Sequence, residues 1–171
     1  MSTTALIPVS EYLKTTYRPD CDYIDGEVRE RNMGEQPHAR LQGYLTALFF
    51  NKRVEWNIRP LPEQRLQVTP TRFRIPDVMV IRRDDPDDRI ITFAPLLCIE
   101  VLSSDDRLGD VQERVDDYVR LGVRDIWVID PWKRLAYEAS SDGFRRATGD
   151  RLRVQGTPIE VGLAELFLEL D

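Results

Sequence analysis

The sequence predicts one α/β (α+β) domain over residues 1–171, with a mixed central β-sheet flanked by α-helices. Three observations carry this. A chain of 171 residues suffices for one ordinary core and is short for two. The run PLLCIEVLS, at 95–103, is almost wholly apolar and suits the middle of a sheet covered by helices on both faces. Residues 96–130 read strand, helix, strand, the right size for a parallel βαβ unit.

The elements follow in order. SEYLKTTY reads as a short helix with Ser10 as its N-cap. In CDYIDGEVRER, Asp25-Gly26 separates two extended runs and signals a hairpin. From about Gln36 to Val54, Leu41, Leu45, Leu48 and Phe49 recur at helical spacing, and His38 falls on the same stripe. In NIRPLPEQRLQV the prolines mark a bend, after which Arg65 to Val68 reads as a strand. Pro70 and Thr71 suggest a turn, FRIPDVMVI the next strand, and RRDDPDDR a polar loop. PLLCIEVLS is a third strand. Ser103 or Ser104 can cap the following helix, with Asp105 and Asp106 in its first turn, where the helix dipole favours anions. That helix carries Leu108, Val111, Val115, Tyr118 and Val119 on one side, and Gly122 stops it. DIWVIDP is a fourth strand, RLAYEAS and GFRRAT an exposed hairpin, and LAELFLEL a closing helix.

With 42% hydrophobic and 32% charged residues, the composition is that of a soluble globular protein. No apolar run approaches the ~18 residues of a membrane span. The start, MSTTALIPVSEYLK, has no basic segment followed by a long apolar one, so no secretory signal is expected. Cys21 and Cys98 make neither a disulfide framework nor a zinc site, which points to a reducing cytoplasm, with Cys98 a buried free thiol. A net charge of −6 counts against indiscriminate polyanion binding and leaves a local basic groove open. Arginine dominates the cations, for Lys14, Lys52 and Lys133 are the only lysines.

The chemistry centres on two carboxylates. Asp77 stands at the start of one core strand and Glu100 inside the next. Ionised acids on neighbouring buried strands repel unless a cation lies between them or one takes a proton. A divalent ion resolves this, since Mg²⁺ prefers one or two carboxylates plus water and phosphate oxygens. Such an ion can polarise a phosphodiester and acidify a bound water. The alternative is two acids each paired with an arginine at a strand end, and the bare residues leave both readings open.

YIDGEV, a helix with a His near its start, RIPDVMVI, CIEVLSSDDR, YVRLGV and DIWVIDP occur in that order. This series resembles the Uma-type restriction endonuclease family of the PD-(D/E)XK nuclease superfamily, from about Tyr12 to Pro131. The resemblance implies a restriction-endonuclease-like core and metal-dependent hydrolysis of DNA phosphodiester bonds, with Mg²⁺ or Mn²⁺ as cofactor. By position it makes Asp77 and Glu100 the metal ligands, adds the backbone carbonyl of Val101, and lets Glu27 orient water or metal. It also implies DNA as partner, with a homodimer supplying two sites for two strands. One departure stands out. The superfamily wants Lys two residues after the Glu, and here that residue is Leu102. A lysine on the next helix appears in the family instead, and Arg114 occupies the matching position. Arginine stays protonated, so it can hold a phosphate and cannot serve as a general base.

The remaining candidates have plainer readings beside them. His38 is either a core imidazole or a partner of the metal or phosphate. Glu27 is otherwise a solvated hairpin residue, and Arg114 a helix-edge arginine paired with Asp110 or Asp117. Gln64 and Arg65 line the cleft or form a sheet-edge pair. DDPDD lacks the spacing of a calcium loop. Trp127 and Trp132 serve packing or base stacking. The alternative to a nuclease is a nuclease-fold protein with impaired catalysis, acting as a nucleic-acid-binding or assembly module. A hydrolase for some other phosphoester is a third reading.

Overall fold

Runs that alternate across a pleat and stripes that recur at helical spacing fold the chain into sheets with helices against both faces. They are seen in a computed structural model that describes residues 5–32 and 34–171. Helix α1 (Val9–Lys14) precedes the hairpin of β1 (Asp22–Ile24) and β2 (Glu27–Arg29). Asp25 and Gly26 both have positive φ, 49° and 102°, as a two-residue hairpin turn demands. Helix α2 (Gln36–Lys52) is followed by β3 (Ile58–Pro62), β4 (Leu66–Thr69), β5 (Arg72–Arg74), β6 (Val78–Arg82) and β7 (Leu97–Val101). Then come α3 (Leu108–Leu121), β8 (Asp125–Asp130), β9 (Leu135–Ser140), β10 (Gly143–Arg146), β11 (Arg151–Arg153), β12 (Glu160–Gly162) and α4 (Leu163–Leu168).

The large sheet has the order β10-β9-β8-β7-β6-β3. Strands β7 and β8 are parallel and every other pair in it is antiparallel, so the sheet is mixed, as the βαβ reading of residues 96–130 requires. Strand alternation divides the core. Val78, Val80, Leu97, Ile99 and Val101 face Leu41, Leu45 and Phe49 of α2. Met79, Ile81 and Cys98 face Val111, Val115 and Tyr118 of α3. A smaller sheet, β2-β1-β5-β4, packs Tyr23 and Phe73 against Tyr12 of α1. Among the described residues, no helix is long and apolar enough to cross a membrane. Cys98 is a buried free thiol, as its apolar run predicts.

Four local expectations are corrected. The first helix begins at Val9 with Pro8 as N-cap, and Ser10 lies inside it. Residues 57–64 hold a strand, β3, where a bend is expected. Pro60 and Pro62 fit because β3 is the sheet edge, where a missing N–H breaks no ladder on the open side. The run 73–81 is two strands in two sheets, since β5 stops at Arg74 and β6 starts at Val78. Helix α3 begins at Leu108 with Arg107 as N-cap, so neither Ser103 nor Ser104 caps it, and Asp105 and Asp106 precede its first turn. Leu108 is consequently exposed rather than on the buried stripe. Trp127 is buried in the core, which removes it from base stacking, whereas Trp132 is exposed.

Candidate active site

Pro76, without an N–H, sits where the chain leaves β5 for β6, and Asp77 follows at the mouth of the large sheet. Val78 pairs with Ile99 in the antiparallel ladder, which sets Asp77 across from Glu100. Alternation puts both acids on the side of the sheet that α3 covers. They are 3% and 2% exposed.

Asp77 is tied on every side. Its Oδ1 accepts from Arg31 Nη2 at 2.7 Å, and its Oδ2 accepts from the Val101 N–H at 2.8 Å. His38 Nε2 stands 3.2 Å from the same Oδ2. Its backbone carbonyl accepts from Gln42 Nε2 at 2.9 Å. Burial pushes the Asp77 carboxyl up, but the His38 hydrogen bond and the Arg31 charge outweigh it and hold the group below the usual carboxylate range. His38 answers in the opposite sense: burial opposes its charge, Asp77 restores it, and the net shift is upward. Buried His38 Nδ1 has no hydrogen-bond partner among the described residues.

Glu100 is held less completely. Tyr118 donates its hydroxyl to Oε1, and Arg114 Nε lies 3.3 Å from Oε2. Arg114 and Tyr118 are one helical turn apart on α3, so both reach the same acid. Burial is the main force on Glu100; Arg114 works against it, Asp77 adds to it, and the carboxyl is pushed up to about 7. The far end of Arg114 donates from Nη2 to Asp106 Oδ1 at 3.0 Å. Asp106 in turn accepts from the Ser103 N–H at 2.8 Å and from Asn32 Nδ2 at 3.3 Å.

These groups surround a cavity of about 30 Å³ lined by Arg31, His38, Asp77, Glu100, Val101 and Arg114, among others. About 10–15 Å³ of such space holds one water, so the cavity admits a small ion or water. It adjoins a cleft of about 320 Å³ that shares Arg31, Asn32, Asp106 and Arg114. A larger cleft of about 520 Å³ lies around Asp125 and Glu138, at the other end of β8, and shares none of these residues. Chemistry rather than size selects the smaller one.

Each acid therefore has its own guanidinium, as the plainer reading expects, and a cavity remains between them all the same. The structure brings together Asp77, Glu100, Arg114, His38 and Val101. It does not bring in Glu27, which sits on β2 with its carboxylate 3.5 Å from Arg29 Nε. Gln64 donates to the Arg89 carbonyl, and Arg65 pairs with Asp20 at 2.6 Å, both away from the cavity. Arg114 pairs with Glu100 and Asp106, not with Asp110 or Asp117. Leu102 is nearly buried in the α3-side core, with no polar group to offer where the superfamily has lysine. Sequence reasoning missed Arg31, Asn32, Asp106 and the acid-binding role of Tyr118. The last was open to discovery, because Tyr118 follows Arg114 by four on one helix.

Carboxylate oxygens are hard donors that suit Mg²⁺ or Mn²⁺. Among the described residues, no three acidic, His or Cys side chains converge as a metal cage. Two carboxylates facing one small cavity fit an ion that keeps water and phosphate oxygens as its other ligands.

Three comparisons bear on this arrangement. A search of curated proteins returns no match. A crystal structure of a putative nuclease belonging to DUF820, from Anabaena variabilis, superposes with a TM-score of 0.83 at 20% identity. It covers 96% of this chain and 99% of that one, and so shows the same fold. A cryo-EM structure of a DrdV–DNA complex aligns with a TM-score of 0.41 at 13% identity, over 73% of this chain and 10% of that one, too weakly to carry an argument. The Uma2 family model, described as "Putative restriction endonuclease", matches residues 9–166, and on that match the chain belongs to the Uma2 family.

Proposed function

We propose that the chain is a divalent-metal-dependent endonuclease that hydrolyses DNA phosphodiester bonds at the Asp77–Glu100 pair. One observation carries the reading. Two buried acids on adjacent strands converge on a cavity, and burial, with Asp77 beside it, pushes the Glu100 carboxyl up to about 7 against the pull of Arg114. A bound Mg²⁺ or Mn²⁺ supplies charge stabilisation at the phosphate and a more acidic water. The chain's own groups do the rest. Val101 N–H and His38 fix the Asp77 carboxylate in one orientation. Tyr118 fixes Glu100. Arg114 remains a cation throughout, since its pKa is raised by Glu100 and Asp106 against the effect of burial. It can steady an anionic phosphoryl group, and it cannot take a proton from water.

The test is cleavage of duplex DNA with Mn²⁺ or Mg²⁺ against a chelator control. Cutting should require the metal. Arg114→Lys should cut faster than the native protein, by about tenfold or more, because a buried lysine can lose its proton and general base catalysis is worth roughly 10²–10⁴. Equal rates would mean that position 114 does not limit the reaction.

A second reading has its own observation. Arg114 and Arg31 already neutralise the two acids, so the site is balanced without an ion. A binding or assembly module with impaired catalysis would show just this. Native protein that binds Mn²⁺ yet leaves DNA intact, beside an Arg114→Lys variant that cuts, would select it.

A further inference from the structure

The candidate metal site already holds a cation of the chain's own. Arg31 lies between β2 and α2, and its Nη2 is 2.7 Å from Asp77 Oδ1. Burial works against its charge, and Asp77 and then Glu100 restore it, so its pKa is raised. The side chain is 20% exposed and lines both the small cavity and the adjoining cleft.

Other arginines nearby are held differently. Arg114 is clasped by Glu100 and Asp106, and Arg74 by Asp22 and Asp117. Arg29 pairs with Glu113. Among the described residues, the hydrogen-bond partner of the Arg31 guanidinium is Asp77, the acid that an entering ion would engage. A guanidinium carries five N–H donors in a planar fork, and such a fork matches phosphate oxygens. A divalent ion at Asp77 would repel it at short range.

Resting on the metal reading above, we propose that Arg31 is a phosphate-binding residue of the reaction. In the metal-free protein it occupies Asp77 as a stand-in cation. When a divalent ion takes Asp77, the guanidinium turns to a phosphoryl oxygen of the substrate in the adjoining cleft. In both states Asp77 faces a cation and the Arg31 guanidinium faces an anion.

The proposal requires opposite effects on two ligands. Mn²⁺ binding, followed by electron paramagnetic resonance without nucleic acid, should be at least about tenfold tighter in Arg31→Ala than in native protein. Arg31→Lys, which keeps the charge, should stay near native. Binding of a short duplex oligonucleotide, followed by fluorescence anisotropy with Ca²⁺ present, should weaken roughly tenfold in Arg31→Ala. With chelator in place of Ca²⁺ that difference should vanish. Circular dichroism melts of both variants establish that they are folded. Unchanged or weaker Mn²⁺ binding by folded Arg31→Ala overturns the proposal, and so does tighter Mn²⁺ binding with unaltered duplex affinity. If native protein binds Mn²⁺ through Asp77 and Arg31→Ala shows no gain, this inference alone fails. If neither binds Mn²⁺, the metal reading fails and takes this inference with it.

Discussion

Asp77→Asn protein is expected to cut no DNA above background under conditions in which native protein cuts with Mn²⁺. The substitution is chosen because it keeps the shape of the side chain. The amide oxygen can still accept the Val101 N–H, now 2.8 Å from Oδ2, so the start of β6 stays anchored to the end of β7. What the amide lacks is charge. It cannot complete a carboxylate pair with Glu100 across the ladder, and the cavity between them no longer attracts a hard divalent ion. Asp77→Ala should also be inactive, but for a mixed cause. It strips the partner from Arg31 and from His38 at once, and an uncompensated buried charge costs about 3–5 kcal/mol. Thermal unfolding separates the two effects. A ligand that binds only folded protein, at a hundredfold excess over its dissociation constant, adds about 2.7 kcal/mol of stability. Native protein should therefore melt higher with Mn²⁺, whereas Asp77→Asn should melt at the same temperature with and without it. Cutting by pure Asp77→Asn at the native rate would remove Asp77 from the chemistry.

The strands that carry Asp77 and Glu100 are legible as apolar runs, and the mixed sheet follows from the βαβ spacing between them. What brings the acids together is less visible. Val78 pairs with Ile99 rather than with a neighbour one residue away, and that register is set by packing on both faces. The split at Pro76 is another case, since one continuous greasy run belongs to two sheets. Serines followed by acids at 103–106 carry the chemistry of a helix N-terminus. Here Asp106 bonds the Ser103 N–H and hydroxyl in a turn of its own, and the helix starts after it. Helical periodicity finds Arg114, because an edge position on α3 can reach past the strand end. Nothing local announces Arg31. It is a polar residue just after a hairpin, and only its tertiary approach to Asp77, 46 residues further on, gives it a carboxylate.

Asp117→Ala should be strongly destabilising although it lies outside the site, lowering stability by about 3–5 kcal/mol. Asp117 is 1% exposed and lies on α3. It accepts from Arg74 Nε at 2.6 Å, from Arg72 Nε and Nη2 at 3.0 Å, and from Arg120 Nη1 at 3.1 Å. Arg74 is 3% exposed and also pairs with Asp22 at 3.0 Å. Removing Asp117 takes the shortest ion pair from the buried Arg74 guanidinium and leaves it Asp22 and the more distant, partly exposed Glu113. For a chain of this size each kcal/mol is worth roughly 2–4 °C, so the melting temperature should fall by roughly 6–20 °C. Glu138→Ala is the control, because its partner Arg145 is 80% exposed and such pairs contribute ~0–1 kcal/mol. Arg74→Met with Asp117→Leu should not recover the loss, because it leaves buried Asp22 without the guanidinium that pairs with it. A melting temperature for Asp117→Ala within a degree or two of native would show that the network contributes little. The same cluster ties α3 to β5, and α3 carries Arg114 and Tyr118 to Glu100. Folded Asp117→Ala, assayed well below its melting point, should therefore cut more slowly than native protein although position 117 touches neither acid. Stability and the geometry of the acid pair are coupled through one helix.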